Sequence, residues 1–418
     1  MKILVTGSGG REHALVAKLL QNPSVTKVYC APGNGGTARE EGCENIALTD
    51  IRALAEFAAE KDIDLALPGS EDMLVAGIAD LFKEKGIPVL GPHRDAAVLE
   101  GSKCLAKDFM KKYGIKTAAY ENFSNLKDAG RFLESCDFPI VLKADGLAAG
   151  KGVLICQNRD EAFEALNALM SDKKFGAAGD SIVIEEFLEG VEASILSFYD
   201  GKTILPLLSA KDHKKIGEGE SGANTGGMGV ISPNPYVDEK VLSLFQEEIM
   251  KPTIRGLAEE GLQFAGVIFF GLMINERGVY LLEYNLRMGD PETQAVLALL
   301  DSDLLEMIQA ALEGSLESCT PKWKEGSSCC VVMASGGYPE AYEKNKLISG
   351  IKDCSASVFI AGASLKDNVL YSSGGRVLNV VATAHDLEAA RKACYEDVSK
   401  ISFQDAVFRR DIGGDVIG

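Results

Sequence analysis

Four short apolar runs in the first hundred residues, each ending in a glycine or proline turn, set the tightest limit on how this chain can fold. Lys2–Thr6 runs into Gly7-Ser8-Gly9-Gly10, and Val25–Cys30 leads to Pro32-Gly33-Asn34-Gly35-Gly36. Asp64–Leu67 ends in Pro68-Gly69-Ser70-Glu71, and Pro88–Leu90 in Gly91-Pro92. Helical periods lie between them at Glu12–Gln21, Ile51–Lys61 and Met73–Lys85. Apolar strands alternating with helices predict a parallel sheet covered on both faces. Open parallel sheets take ligands at the carboxyl ends of their strands, where these turns stand.

The pattern changes near residue 101. A helix is predicted over Lys103–Tyr113, and strands over Phe138–Lys143, Val153–Cys156, Ser181–Glu185 and Glu192–Tyr199. Asp200-Gly201 turns a hairpin back through Thr203–Ser209, and residues 211–229 read as a mobile polar loop. A helix is expected over Val237–Glu260, a second hairpin over Val267–Ile274 and Val279–Leu286, and a helix over Thr293–Leu312. Antiparallel hairpins with separate helices indicate an α+β unit. After the polar stretch Glu313–Gly326 come strands at Cys329–Ala334 and Arg376–Ala382, then a helix at Asp386–Lys400. At roughly 100–200 residues per domain, 418 residues suit this division. The expected organisation is a Rossmann-like parallel-sheet domain over 1–100, a second domain over 101–312 with a small lid subdomain at about 115–190, and a small α+β domain over 325–418.

Charge narrows the partners. With 43 Lys and Arg against 61 Asp and Glu, the net charge is −18, which repels nucleic-acid phosphates. The longest apolar run, Phe264–Ile274, falls short of the about 20 residues that span a bilayer. The chain starts directly on a strand and its glycine turn, without a signal-peptide pattern. The 10 Cys include no C-x-x-C pair, which predicts free thiols in a reducing cytoplasm. Four His exclude a His-rich metal centre.

Several motifs carry chemistry. Gly7-Ser8-Gly9-Gly10-Arg11-Glu12 is like a dinucleotide fingerprint, but Glu12 stands at the third glycine position and Ala31-Pro32 ends the second strand where a ribose-binding acid would be needed. This argues against a nicotinamide dehydrogenase. Arg11 at a helix start suits a single phosphate, with a plain structural turn as the alternative. Lys143-Ala144-Asp145-Gly146-Leu147-Ala148-Ala149-Gly150-Lys151-Gly152 sets two lysines around a loop of small residues, suited to approach phosphates. In Glu283-Tyr284-Asn285-Leu286-Arg287, strand alternation puts Glu283, Asn285 and Arg287 on one face and Leu282, Tyr284 and Leu286 on the other. A carboxylate and an amide oxygen two apart can hold Mg²⁺, and Arg287 can fork onto a carboxylate. A solvated strand face would show the same alternation. Glu185 and Glu186, ahead of Leu188 and Glu192, could meet an adenine amine and a ribose. Of the histidines, His213 in Lys211-Asp212-His213-Lys214-Lys215 is the best candidate for chemistry. Together these form an apparatus for moving a γ-phosphoryl group from ATP to a carboxylate, by positioning and charge neutralisation.

These residues resemble the glycinamide ribonucleotide synthetase family of ATP-grasp enzymes. The resemblance runs through Gly7 to Ala14, Ala31-Pro32-Gly33-Asn34, Leu99-Glu100-Gly101-Ser102-Lys103, Lys143 to Gly152, Asn224-Thr225-Gly226-Gly227-Met228-Gly229, Gly289-Asp290-Pro291-Glu292-Thr293-Gln294 and Gly374-Gly375-Arg376-Val377. The chain departs from the family pattern at Ser70 and Met73, each in place of Pro, at Lys215 in place of Arg, and at Met288 in place of Phe. The resemblance implies a pre-ATP-grasp domain, a central ATP-grasp domain and a small C-terminal domain. It implies that ATP phosphorylates glycine and that the amine of 5-phosphoribosylamine displaces the phosphate. ATP and Mg²⁺ or Mn²⁺ would be required, small molecules would be the only partners, and a monomer would be the working unit. Lys103 and Lys143 would neutralise phosphates, and the loop with Gly146, Gly150, Lys151 and Gly152 would close over them. Glu185, Glu186 and Leu188 would meet adenine, Glu192 the ribose, and Glu283 and Asn285 the metal. Arg287, with Asp290 nearby, would orient glycine or the acyl phosphate, and Asp212, His213 and Lys214 would line the reaction centre. Gly9, Gly10, Arg11, Asn34, Glu71, Asn224, Thr225 and Gly226 would bind substrate. The rival readings are another ATP-grasp carboxylate–amine ligase or carboxylase, and a nucleotide-binding regulatory protein without catalysis.

Overall fold

The structure, a computed structural model, describes residues 1–147, 152–172 and 176–416. Lys2–Gly7 is flanked in parallel by Lys27–Pro32 and Leu65–Pro68. Cys43–Asn45 extends the sheet beyond Lys27–Pro32, and Val89 adds a parallel bridge to Ala66. The strand Cys43–Asn45 was not expected, since three residues are too few to show a period. Ile3, Val5, Val28 and Leu65 are buried under the helix Gly10–Leu19. The expected Met73–Lys85 helix is two helices, Glu71–Ala76 and Ile78–Glu84, because Gly77 at φ +91° ends the first in a left-handed cap.

The helix Lys103–Tyr113 starts on the Ser102 hydroxyl, which accepts from Leu105 N–H at 3.1 Å, and stops at Gly114, φ +68°. Beyond it lies an antiparallel sheet ordered Tyr120–Phe123, Ile182–Glu186, Ile140–Ala144, Val153–Cys156. Ala129 and Leu133, on the helix Leu126–Leu133, and Ala162 and Leu166, on the helix Arg159–Leu166, share its core with Ile140, Leu142 and Ile184.

The larger sheet runs in the order Gly278–Asn285, Ala265–Asn275, Val191–Asp200, Ile204–Asp212, Gly229–Ser232, Ser327–Ser335, Arg376–Ala384, Ser357–Ile360. Its two halves meet where Lys211 pairs with Ile231 and Asp212 with Val230. Residues 211–229 are therefore not an irregular loop. They hold the hairpin Lys215–Gly217 with Ser221–Asn224, followed by the strand Gly229–Ser232. Gly219 (φ +65°) turns the hairpin and Gly227 (φ +113°) the return to the sheet, and such glycines made the stretch look polar and loose.

The expected helix Val237–Glu260 runs without a break from Glu239 to Glu259, widened to a π-helical turn over Gln246–Met250. A second expected long helix is interrupted. Thr293–Leu312 is Glu292–Leu299 and Leu304–Glu313, the second capped by Asp303 accepting from Leu305 N–H at 2.8 Å. A register shift between Gly271 and Leu272 also alters one strand face: Glu283 opposes Gly271 while Leu281 opposes Leu272. Leu281 therefore enters the core beside Tyr284 and Leu286, and Leu282 does not.

Candidate active site

Three buried charges lie at the junction of the helix Lys103–Tyr113 and the small sheet. Glu185 pairs with Lys107 at 2.6 Å and with Lys143, and the residues are 4%, 2% and 6% exposed respectively. Lys107 also donates to the Thr117 hydroxyl at 2.6 Å. Burial pushes the Glu185 carboxyl up, but Lys143 and then Lys107 outweigh it, so its pKa is lowered. Burial dominates at Lys107, which is pushed down to about 8 although Glu185 opposes the shift. The partners respond unequally because the carboxylate has two cations and Lys107 must share it. Next to this trio, Lys103 donates to Gly146 O at 2.7 Å, and Asp145 accepts from the Ser102 hydroxyl at 2.9 Å and Cys104 N–H at 3.1 Å. The start of the loop is thus tied to the N-terminus of the helix.

Glu283 faces the same space from the large sheet. Burial raises its pKa, but Lys214, Lys143, Lys103 and Arg287 lower it further, so the carboxylate is held ionised. Lys214 in turn pairs with Glu192 at 2.6 Å; burial works against its charge, and Glu192, Glu283 and Asp212 hold it protonated. Four cations, Lys103, Lys143, Lys214 and Arg287, gathered around one carboxylate are suited to phosphate oxygens. Asn285 lies two residues along from Glu283, and its Oδ1 accepts from Arg287 Nη2 at 3.2 Å, with a second lone pair remaining. Among the described residues no three His, Cys, Asp or Glu converge on one point. An ionised carboxylate and an amide oxygen fit a hard divalent ion that takes its other ligands from phosphate and water.

Arg287 leads from this cluster to the N-terminal domain. Its Nε lies 3.2 Å from Glu100 and 3.3 Å from Glu71. Glu100 also accepts from Leu286 N–H at 2.6 Å. Further on, Arg376 Nη1 donates to Asp290 O at 2.6 Å and Gly226 O at 2.5 Å, and its Nη2 is 3.7 Å from the Asp290 carboxylate. Burial raises the Asp290 pKa, but Arg376 and Arg11 bring it below the usual range. Asp212 and Glu292 behave differently: burial pushes both carboxyls up, and at Asp212 the neighbouring Glu292 adds to the shift. A cleft of about 580 Å³ opens beside Asp290. Its walls include Ser8, Gly9, Asn34, Ser364, Gly374 and Arg376, so it lies between the glycine turns of the first sheet and the C-terminal domain. Arg376 is the one cationic side chain on these walls among the described residues.

Three family models match the chain in order: the phosphoribosylglycinamide synthetase N domain over 1–100, its ATP-grasp (A) domain over 101–293 and its C domain over 328–415. The chain belongs to the phosphoribosylglycinamide synthetase family. The phosphoribosylamine–glycine ligase of Clostridium acetobutylicum is 54% identical over 413 residues, covering 99% of both chains. A crystal structure of the phosphoribosylamine–glycine ligase of Thermotoga maritima is similar at a TM-score of 0.87 and 33% identity, over 99% of this chain and 100% of that one. The biotin carboxylase domain of the Hydrogenobacter thermophilus 2-oxoglutarate carboxylase, solved with MgADP and bicarbonate, shares the fold at a TM-score of 0.73 and 16% identity, over 97% of this chain and 91% of that one. The three-domain synthetase architecture and the α/β and α+β fold class expected from the sequence are those of the family.

In this synthetase-family chain the expected site residues fall into several groups. Lys103, Lys143, Glu283, Lys214 and Arg287 converge. Glu185 is engaged by its two lysines, while Glu186 pairs with Arg277 at 2.7 Å, Leu188 is buried and Glu192 holds Lys214. Gly150 and Lys151 lie outside the described residues, and Gly152 O accepts from Ala144 N–H at 2.9 Å. Thr225 Oγ1 accepts from Gly227 N–H at 3.0 Å, and Gly226 N–H donates to the Tyr338 hydroxyl at 3.2 Å. Asn224 pairs with Lys215 in the hairpin.

Other expected residues are committed elsewhere. Arg11 donates to Glu12 at 2.6 Å and Met288 O at 2.7 Å. The Asn34 side chain bonds Ser8 O, Gly9 O, Ile360 O and Gly36 N–H. Glu12 accepts from Gly9 N–H at 2.6 Å, so this carboxylate occupies the helix start where a pyrophosphate would sit. A Cβ on Gly10 would come within 2.2 Å of Asn379, so that glycine is required for packing. His213 does not sit in a loop facing the reaction centre. It is buried, with Nδ1 3.2 Å from Gly229 O and Nε2 accepting from Gly413 N–H at 3.2 Å. Lys107, Glu100, Glu292 and Arg376 were not predicted as site residues. The spacing of four between Lys103 and Lys107, which puts both on one helix face, was the available signal for Lys107.

Proposed function

We propose that the chain ligates glycine to 5-phosphoribosylamine with ATP, giving glycinamide ribonucleotide, ADP and phosphate, a step of purine biosynthesis. The γ-phosphoryl group passes from ATP to the glycine carboxylate, forming glycyl phosphate. The phosphoribosylamine nitrogen then attacks the acyl carbon, the amide forms, phosphate leaves and the nitrogen gives up a proton. The observation that carries this reading is Glu283, a half-buried carboxylate whose charge is held by Lys214, Lys143, Lys103 and Arg287 at once.

Lys103 and Lys143 neutralise the triphosphate, and Lys214 meets charge developing on the transferred group. Arg287 is braced by Glu71 and Glu100 at Nε, and the N–H groups that its Nη atoms keep beyond those given to Met288 O and Asn285 take the glycine carboxylate. Glu283 and Asn285 would hold Mg²⁺ or Mn²⁺, which would neutralise charge on the phosphates when bound. The 580 Å³ cleft takes the phosphoribosyl group, with Arg376 as its cation, while Arg11 shapes the wall through Glu12 and Met288. The C-terminal domain therefore contributes to the substrate site. Ten unpaired thiols support a reducing cytoplasm, and assembly of the charged cluster and the cleft within one chain supports a monomer.

The test is ADP release with each substrate omitted in turn. Release that needs both glycine and phosphoribosylamine supports the reading. Release driven by bicarbonate, or no turnover, would favour a carboxylase or a regulatory protein instead.

A further inference from the structure

Two rows of side chains alternate along one short segment at the centre of the large sheet. Asp212 and Lys214 face Glu192, Glu283, Glu292 and Arg376. Lys211 and His213 face the other way, as strand alternation requires. They meet the C-terminal segment: Lys211 pairs with Asp415, and His213 Nε2 lies 3.5 Å from the same carboxylate and accepts from Gly413 N–H.

That segment is anchored at both ends of its path. On the side of the last helix, Leu387–Val398, the Tyr395 hydroxyl donates to Arg409 O at 2.7 Å and accepts from Ile412 N–H at 3.1 Å, while Arg391 Nε donates to Ile412 O at 2.8 Å. On the hairpin side, Arg409 donates to Lys215 O at 3.1 Å and pairs with Glu220 at 2.7 Å. Asp411 accepts from Gly219 N–H at 2.8 Å, and the Arg410 N–H donates to Glu218 at 3.2 Å. Ile412 is buried, and a Cβ added to Gly229 would come within 2.6 Å of it. The ladder beneath is short here, with Lys211 paired to Ile231 and Asp212 to Val230, and His213 N–H donating to Gly229 O at 2.9 Å.

We propose that the segment Arg409–Asp415 is a strap that positions Asp212 and Lys214 for the ligation, with His213 and Asp415 as its positioning residues. This rests on the function proposed above. The strap grips the back of the strand whose front carries the reacting-site charges, and it couples the last helix to the catalytic centre. His213 acts through its neighbours and does not transfer a proton to substrate.

The test compares the parent enzyme with Asp415→Asn, Asp415→Glu and His213→Gln. Asp415 is half exposed, so its removal leaves the core intact. Loss of alignment at the reaction centre predicts a fall in kcat on the order of tenfold for Asp415→Asn and His213→Gln. The KM for ATP should stay within about twofold, and Asp415→Glu should recover most of the kcat. Hydrogen exchange, which needs no assumption about the reaction, should quicken in peptides covering residues 211–229 of Asp415→Asn and stay unchanged in Ile140–Ala144. Unchanged exchange, or parental kcat in both loss variants, would overturn the strap. Absence of glycine- and phosphoribosylamine-dependent turnover in the parent would instead overturn the assigned reaction, and the exchange result would still decide the strap.

Discussion

Neutralising Glu185 should be far more damaging than removing Lys107, although the two form one ion pair. In Glu185→Gln, two ammonium groups remain buried without their carboxylate, and breaking one side of a buried pair costs about 3–5 kcal/mol. Lys107→Met removes a charge that the fold already disfavours. A pKa of about 8 against the ordinary 10.5 corresponds to about 3 kcal/mol held against the folded state at pH 7. That net cost already includes the attraction of Glu185, so what offsets its relief is the Glu185 oxygen and the Thr117 hydroxyl left without their donor, together about 2–4 kcal/mol. Lys107→Met should therefore lie within about 1 kcal/mol of the parent. The sign of the pH dependence follows from the same shift. Between pH 8 and 10.5 the unfolded chain binds more protons at this position than the folded one, so the Lys107 contribution to stability rises with pH in that window and is at its least below pH 8. Lys107→Met should lack that rise. Urea unfolding followed by far-UV circular dichroism, without nucleotide, at pH 7 and at pH 9.5 would measure both. Equal destabilisation by the two substitutions, or a larger loss in Lys107→Met, would refute the account of the trio.

Glu283→Gln should lower phosphate release on the order of 10²–10³-fold while the far-UV spectrum stays that of the parent; near-parental turnover would remove Glu283 from the site. Gly227→Ala forces a side chain into φ +113° with its Cβ 2.6 Å from Pro291 and 2.7 Å from the Asp212 carboxylate. A loss of about 1–3 kcal/mol in thermal unfolding, together with reduced kcat, is expected. Arg376→Met should raise the KM for phosphoribosylamine on the order of tenfold and leave that for ATP nearly unchanged; an equal rise in both would move the phosphoribosyl group out of the cleft between the N- and C-terminal domains.

Local signals were readable where the chain enforces them itself. The helix Lys103–Tyr113 matches its expected bounds because Ser102 caps one end and Gly114 turns off the other. The alternation of Glu283 and Asn285 likewise predicted their shared face, and the structure sets Glu283 opposite the lysines. Features decided by distant partners were not readable. Leu282 is displaced from the core by a shift set by the opposing strand at Gly271. His213 takes its role from Gly413 and Asp415, about 200 residues onward, and no local pattern announces that contact. Arg376 stood in a recognised motif, yet its partners Gly226 and Asp290 meet it only after the large sheet has closed.

The unbroken row of strands has a consequence for how this enzyme can be divided. Gly229–Ser232 and Ser327–Ser335 share a four-rung ladder, so the stretch between residues 314 and 326 crosses no real seam. Two separately produced fragments, cut within that stretch, would each present a bare edge complementary to the other. Such halves should find each other in solution and rebuild one catalyst, whereas grafting the last ninety residues onto an unrelated host would transplant a torn sheet.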